Sequence, residues 1–176
     1  DGTVATITQT LGSGFGCGVV AGSTGFLLNN NIDLMDITQG SDSRLLVRPG
    51  KRPGSNMAPI QVFKDGRFIL AIGTPGSYGI PQTTTQMILN VLEFGMNVQE
   101  AIEAPRFRVM TGVTINMEGR ILLQVREELA NRGHDIGLLG EWGMEVGGGH
   151  AIAADPATGV LMGGADPRRD GFALGI

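Results

Sequence analysis

Apolar and polar positions fall into clear periods in only part of this chain. APIQVFKDGRFILAIG, residues 58–73, places two β-rich runs on either side of Asp65-Gly66 and predicts a hairpin. Pro81 suits a first helical turn, and Met87, Ile88, Val91 and Leu92 recur at helical spacing until Gly95. Asn97 followed by Glu100 is a capping-box pattern, so VQEAIEA predicts a short helix that Pro105 stops. Ile121, Leu122, Val125 and Leu129 predict another helix over 120–132, ending at Gly133. HAIAAD (150–155) and VLMGGA (160–165) predict a second hairpin around Asp155–Gly159. Nearer the start, TVATITQT (3–10) and GCGVVA (16–21) read as strands, and FLLNN (26–30) is a short apolar run. Residues 33–56 lack periodicity and read as a long surface loop, a kind usually functional or disordered. Strands, then helices, then strands give an α+β class with a largely antiparallel sheet. No repeat or linker interrupts it, so residues 1–176 are expected to form one unit.

Composition adds an expectation about partners. A chain of 176 residues can bury about 70% of its unfolded surface without a disulfide or metal staple. Only 17% of its residues are charged, and 29 are glycine. Such a chain has many tight turns, or a large surface that a partner covers. A net charge of −4 without a basic run argues against nucleic acid. Cys17 stands alone, and His134 and His150 share no metal spacing with it, so no disulfide, metal or cofactor is expected. No apolar run reaches membrane-spanning length. The compartment, periplasmic, extracellular or cytoplasmic, is left open. Asp1-Gly2 is a hairpin-turn signal with no strand ahead of it. It reads either as an arbitrary chain boundary or as the start of a fragment cut from a precursor.

The chemistry centres on RFILAIGTPGSYG (67–79), where an apolar strand runs into three glycines, a proline and a serine just before a helical pattern. Free N–H groups cluster at such a junction and favour negative charge. The N–H groups of Gly76 and Ser77 could hold a developing oxyanion. Ser77 could instead be a nucleophile, although Pro-Gly-Ser-Tyr-Gly is not the Gly-x-Ser-x-Gly elbow. The plain alternative is a tight turn without chemistry. Ser55 and Asn56 in KRPGSNM, and Asn29–Asn31 with Asp33 and Asp36 nearby, could orient a polar substrate or merely satisfy loop backbone. Thr10 ends a predicted strand and gains a role only if something reactive lies close to it. His134, His150 and Trp142 read as capping, hydrogen-bonding and packing residues.

Several stretches carry a resemblance. DGTVATITQT, GFLLNN, PGKRPGSNMAP, the strand ending in GTPGS, LEFGMNVQEAIEAPRF and the closing GADPRRDG together resemble the small subunit of the gamma-glutamyltranspeptidase family. The resemblance implies an N-terminal nucleophile hydrolase: a four-layer αββα sandwich shared with a large subunit cut from the same precursor. It implies a threonine nucleophile about 5–10 residues ahead of Asp1, on a first strand outside this sequence, with its own α-amine as base. Thr10 then matches the threonine that hydrogen-bonds the nucleophile, and Gly76 and Ser77 match the oxyanion pair, where the family commonly has a second glycine. Ser55 and Asn56 match a pair that holds the substrate carboxylate, and Asn31 matches a residue that contacts the substrate amine.

Two positions depart from the family. The aspartate that binds the substrate ammonium aligns with Leu34, while Asp33 aligns with the one before it; an asparagine two residues after Thr10 is Gly12. The expected activity is therefore γ-glutamyl transfer or glutathione hydrolysis through an acyl-enzyme. The alternatives are an amidohydrolase of altered acyl specificity, cephalosporin acylase-like, or a non-catalytic homologue.

Overall fold

A computed structural model describes residues 2–175; Asp1, half of the expected Asp1-Gly2 turn, lies outside them. The chain divides into two compact units, Asp1–Ile7 with Met57–Ile176, and Thr8–Asn56.

The larger unit is built on the hairpin of β1 (Ile60–Lys64) and β2 (Arg67–Gly73). Asp65 and Gly66 turn it with φ of 51° and 75°. Two positive φ values define the turn whose twist matches that of the flanking strands, and they explain the Asp-Gly pair. After β2 the chain turns into α1 (Ile80–Leu92) and then α2 (Val98–Glu103). Asn97 caps α2 as its spacing predicts: its Oδ1 accepts the Glu100 N–H at 3.0 Å, and Glu100 Oε2 accepts the Asn97 N–H at 2.9 Å. Strands β3 (Phe107–Val109) and β4 (Thr114–Glu118), helix α3 (Leu123–Asn131) and strand β5 (Asp135–Leu139) follow, and β6 (His150–Ala154) with β7 (Leu161–Ala165) closes the unit.

The strands form an antiparallel sheet in the order β1-β2-β6-β7 and a three-stranded sheet β3-β4-β5 in which β4 and β5 run parallel. This is the α+β, mainly antiparallel class expected from the sequence. Leu70, Ile72, Met87, Val98, Ile102, Ala151 and Ala153 make the core between the first sheet and the two helices. Full burial of each large side chain contributes about 1.5–3 kcal/mol. Period-two alternation puts Ile152 on the opposite face, where it is half exposed.

Helix α1 buries a face shifted towards its start. Ile80, Thr83, Thr84 and Met87 are buried, while Leu92 is exposed. The two threonines can enter because their hydroxyls donate to the carbonyls of Gly79 and Ile80, at 3.0 and 2.7 Å. On another side, the Gln82 and Gln86 amides pair with the backbone of Val109 and Phe107 at 2.7–3.1 Å, closing the outer edge of β3.

Three expectations need correction, and one sheet was missed. TVATITQT is not a strand: Gln61 Nε2 reaches Val4 O at 3.1 Å and Thr6 Oγ1 at 3.0 Å, so a side chain rather than a backbone ladder holds the segment near β1. GCGVVA keeps a single bridge, Val20 to Leu27. The third helix starts at Leu123, because Leu122 adopts ψ of 135°, and it buries none of its residues. The sheet of β3, β4 and β5 was not foreseen at all.

Candidate active site

β2 carries its chain into the turn at full burial. Ile72 is 1% exposed and Thr74 5%. Gly73 pairs with His150, so the next residues of β2 run beside Gly147–Gly149. Pro75 has no N–H to continue a ladder. The Gly148 N–H instead donates to Thr74 Oγ1 at 2.9 Å, and that hydroxyl donates to Pro75 O at 2.9 Å.

Gly76 then adopts φ of 138° and Ser77 φ of 54°. The first conformation favours glycine, and the second is uncommon for a serine. The Gly79 N–H returns to Gly76 O at 3.0 Å and closes a short 3-10 turn, Ser77–Gly79, ahead of α1. Among the described residues, no acceptor meets the N–H of Gly76 or of Ser77. Two neighbouring donors at the start of a helix, on a backbone shape that side chains disfavour, are suited to an anion.

Glycines on the other side of the turn are needed for close approach. A Cβ on Gly147 would lie 2.3 Å from Thr74 Oγ1 and 2.8 Å from Pro75 O. The Gly149 N–H donates to Asp166 Oδ2 at 2.7 Å, and Arg106 Nη2 meets the same oxygen at 2.5 Å. Arg168 joins Asp166 to Glu118, and the side chains of all four charged residues are fully buried. Burial alone would raise the Asp166 and Glu118 carboxyls. The Arg106 charge and the Arg168 and Gly149 N–H groups outweigh it at Asp166. Hydrogen bonds from the Arg168 side chain and the Arg106 N–H do so at Glu118, and both carboxyls stay below their ordinary range.

The unit Thr8–Asn56 gathers the other predicted residues. Thr10 Oγ1 accepts the Gly12 N–H at 3.0 Å. A Cβ on Gly12 would sit 2.1 Å from Asn30 Oδ1 and 3.1 Å from Asn31 Oδ1, so the asparagine expected by resemblance has no room here. Asn30 Nδ2 donates to Ser13 Oγ at 2.8 Å and to Asp33 Oδ2 at 3.0 Å. Asn31–Leu34 form one 3-10 turn. Gly54, just before Ser55 and Asn56, packs on it: its Cβ would lie 3.2 Å from Leu34 O. The Thr10–Gly12 turn thus sits against Asn30 and Asn31, and the glycine before Ser55 sits against the turn that carries Asn31 and Asp33. Asp36 is committed elsewhere, because its carboxylate accepts the Ser41 hydroxyl and the Thr38 N–H, which hold its pKa low.

The remaining sequence candidates take structural roles. His134 caps the Leu129 carbonyl of α3 through its backbone N–H at 3.1 Å, while its Nδ1 meets Val113 O at 3.2 Å. Trp142 lies under the guanidinium groups of Arg120 and Arg168, at 3.6 and 4.9 Å from its ring centre. Sequence reasoning missed Thr74, Gly147–Gly149 and the buried charge cluster. GADPRRDG was the available signal, since two arginines and two aspartates near an apolar strand must be paired if buried.

The family profile described as Gamma-glutamyltranspeptidase matches residues 1–176. The chain belongs to the gamma-glutamyltranspeptidase family. It is 36% identical to the glutathione hydrolase-like YwrD proenzyme of Bacillus subtilis, over all of this chain and 34% of that protein. It is 37% identical to the acylase ACY 1 proenzyme of Pseudomonas sp. strain V22, over 99% of this chain and 30% of that one. The chain therefore spans about a third of the length of these curated relatives. Among solved structures, it superposes on a gamma-glutamyltranspeptidase from Pseudomonas nitroreducens complexed with L-DON with a TM-score of 0.84. That match has 30% identity and covers 99% of this chain and 94% of the other. The fold is that of the N-terminal nucleophile hydrolases of this family.

Proposed function

We propose that this chain is the small-subunit part of a γ-glutamyl acyl-transfer enzyme, and that Gly76 and Ser77 form its oxyanion hole. The observation that carries the reading is the pair of adjacent N–H groups at 76 and 77 that meet no acceptor among the described residues, on a strand-to-helix turn. A threonine ahead of residue 1 supplies the nucleophile. Its Oγ attacks the donor amide carbonyl while its α-amine takes the proton. The two N–H groups stabilise the tetrahedral oxyanion, the C–N bond breaks, and the amine leaves with that proton. Water or a second amine then resolves the ester. Each such donor is worth about 10²–10³ in kcat. Thr10 holds the nucleophile, Asn31 and Asp33 meet the substrate amine, and Ser55 with Asn56 meets its carboxylate. The partner is a large subunit from the same precursor, which fits the exposed apolar side chains of Ile152, Leu161, Phe172 and Leu174.

A second reading keeps the mechanism and changes the acyl group. Leu34 offers no charge to an ammonium, and Asp36 is engaged by its own loop, which leaves Asp33 alone. An acylase proenzyme at 37% identity, beside a glutathione hydrolase-like one at 36%, supports this as a variant within the family. Incubating the full heterodimer with γ-glutamyl and glutaryl anilides separates the two. Turnover of the γ-glutamyl anilide supports the first reading, turnover of only the glutaryl anilide replaces it with the second, and turnover of neither refutes both.

A further inference from the structure

Both donor N–H groups belong to peptide planes whose carbonyl oxygens are already held. A peptide unit is planar and trans, so its C=O and N–H point in opposite directions. Fixing the oxygen fixes the direction of the hydrogen. The plane that carries the Ser77 N–H is held at Gly76 O by the Gly79 N–H, a bond within the turn. The plane that carries the Gly76 N–H is held at Pro75 O by the Thr74 hydroxyl, at 2.9 Å.

A hydroxyl can rotate, so its direction needs a second constraint. The Gly148 N–H provides it by donating to Thr74 Oγ1 at 2.9 Å, which leaves the Thr74 proton for Pro75 O. Gly148 is itself placed by its neighbour: the Gly149 N–H ends on Asp166 Oδ2, the oxygen also bonded by Arg106. Asp166 Oδ1 accepts from the Arg168 N–H and Nη1, both at 3.0 Å, so the carboxylate cannot swing. Gly147 admits the approach because any side chain there would strike Thr74 Oγ1.

We infer that Thr74 is a positioning residue for acyl transfer: its hydroxyl, oriented by Gly148 and braced by the buried Asp166–Arg106 pair, fixes the peptide plane that aims the Gly76 N–H at the oxyanion. This inference rests on the oxyanion reading of Gly76 and Ser77 given above. Thr74 touches no substrate in this role. Its removal leaves the ground-state contacts of Asn31, Asp33, Ser55 and Asn56 in place, and loosens only a donor that matters most in the transition state.

The test uses the full precursor with Thr74→Val, which keeps the side-chain shape without the hydroxyl, and Thr74→Ser, which keeps the hydroxyl. Thr74→Ala is the second variant should the valine protein accumulate unfolded. Kinetics are measured on fully matured protein, together with inhibition by a boronic acid analogue of the turned-over donor, whose threonine adduct places an oxygen where the oxyanion forms. In Thr74→Val we expect kcat to fall at least tenfold with KM within twofold, boronate affinity to fall by a similar factor, and Thr74→Ser to recover within about threefold of the parent. Unchanged kcat in the valine and alanine variants overturns the inference. So does a loss that serine does not rescue and that follows thermal stability alone. A crystal structure of the parent boronate adduct tests the reading beneath. An adduct oxygen within about 2.7–3.1 Å of both the 76 and 77 nitrogens upholds that reading, so that unaltered variant kinetics then refute the positioning role by itself. An adduct oxygen bonded elsewhere overturns the oxyanion hole and the positioning role with it.

Discussion

Arg168 and Glu118 face each other through two hydrogen bonds of 2.6 Å, Nε to Oε1 and Nη2 to Oε2, with neither side chain exposed. This two-pronged geometry ties the C-terminal GADPRRDG segment to the end of β4. Arg168 also donates to the carbonyls of Ile102 and Ala104, at 3.0 and 3.1 Å, and so gathers the end of α2 into the same cluster. A buried pair of this kind adds little net stability over an apolar substitute, but breaking it leaves an unpaired charge. Glu118→Gln is therefore expected to destabilise the protein by about 3–5 kcal/mol, read from urea midpoints. A loss below about 1 kcal/mol would show that Asp166 and the carbonyls of Ile102 and Ala104 suffice to satisfy Arg168.

The same cluster predicts an acid-side weakness. Glu118 and Asp166 have folded pKa values held below the ordinary range, against unfolded values of about 4.3 and 3.9. A depressed carboxyl binds fewer protons when folded than when unfolded. Its stabilisation is complete above the unfolded value and is lost as pH falls from about 4 towards the folded value. Urea midpoints should be level between pH 5 and 7 and drop below about pH 4, with a shallower drop in Glu118→Gln. A flat profile down to pH 3 would contradict the assignment.

Ser77 holds a backbone conformation that costs a non-glycine residue about 1–2 kcal/mol. Glycine removes that strain and adds unfolded-state freedom worth about 0.5–1 kcal/mol. Ser77→Gly should gain roughly 0.5–1 kcal/mol and keep activity within about twofold, because the backbone donor is unchanged. Loss of all turnover would instead make the Ser77 hydroxyl the nucleophile.

Much of this was legible in the residues, and the exceptions have causes. Asp65-Gly66 and Pro81 act through their own backbone, and Asn97–Glu100 through side chains that bond backbone three residues away, so local reading located the hairpin and two helices. The β3 edge was invisible because its partners are the glutamine side chains of α1, which no strand propensity records. TVATITQT carries strand propensity but forms no ladder, and Val4 and Thr6 meet the Gln61 side chain instead. At the site, glycine spacing marked 76 and 77, whereas Thr74 looked like ordinary turn chemistry. Its importance comes from Gly148, 74 positions away.

Leu34 is the natural place to alter donor choice. Leu34→Asp restores a carboxylate beside Asp33, on a turn that already faces the backbone at Gly54. The ratio of γ-glutamyl to glutaryl anilide kcat/KM should rise about tenfold, the equivalent of about 1.4 kcal/mol, mainly through KM. An unchanged ratio would mean that the substrate ammonium is held by other residues.

The account stands or falls on where the acyl group is carried. Trapping the full heterodimer with an acyl donor during turnover, quenching in acid and mapping the adduct by peptide mass spectrometry reads this directly. The predicted result is one ester per heterodimer on a threonine at the N-terminus of the mature small chain, ahead of residue 1. An adduct on Ser77, or turnover without any adduct on that threonine, would contradict it.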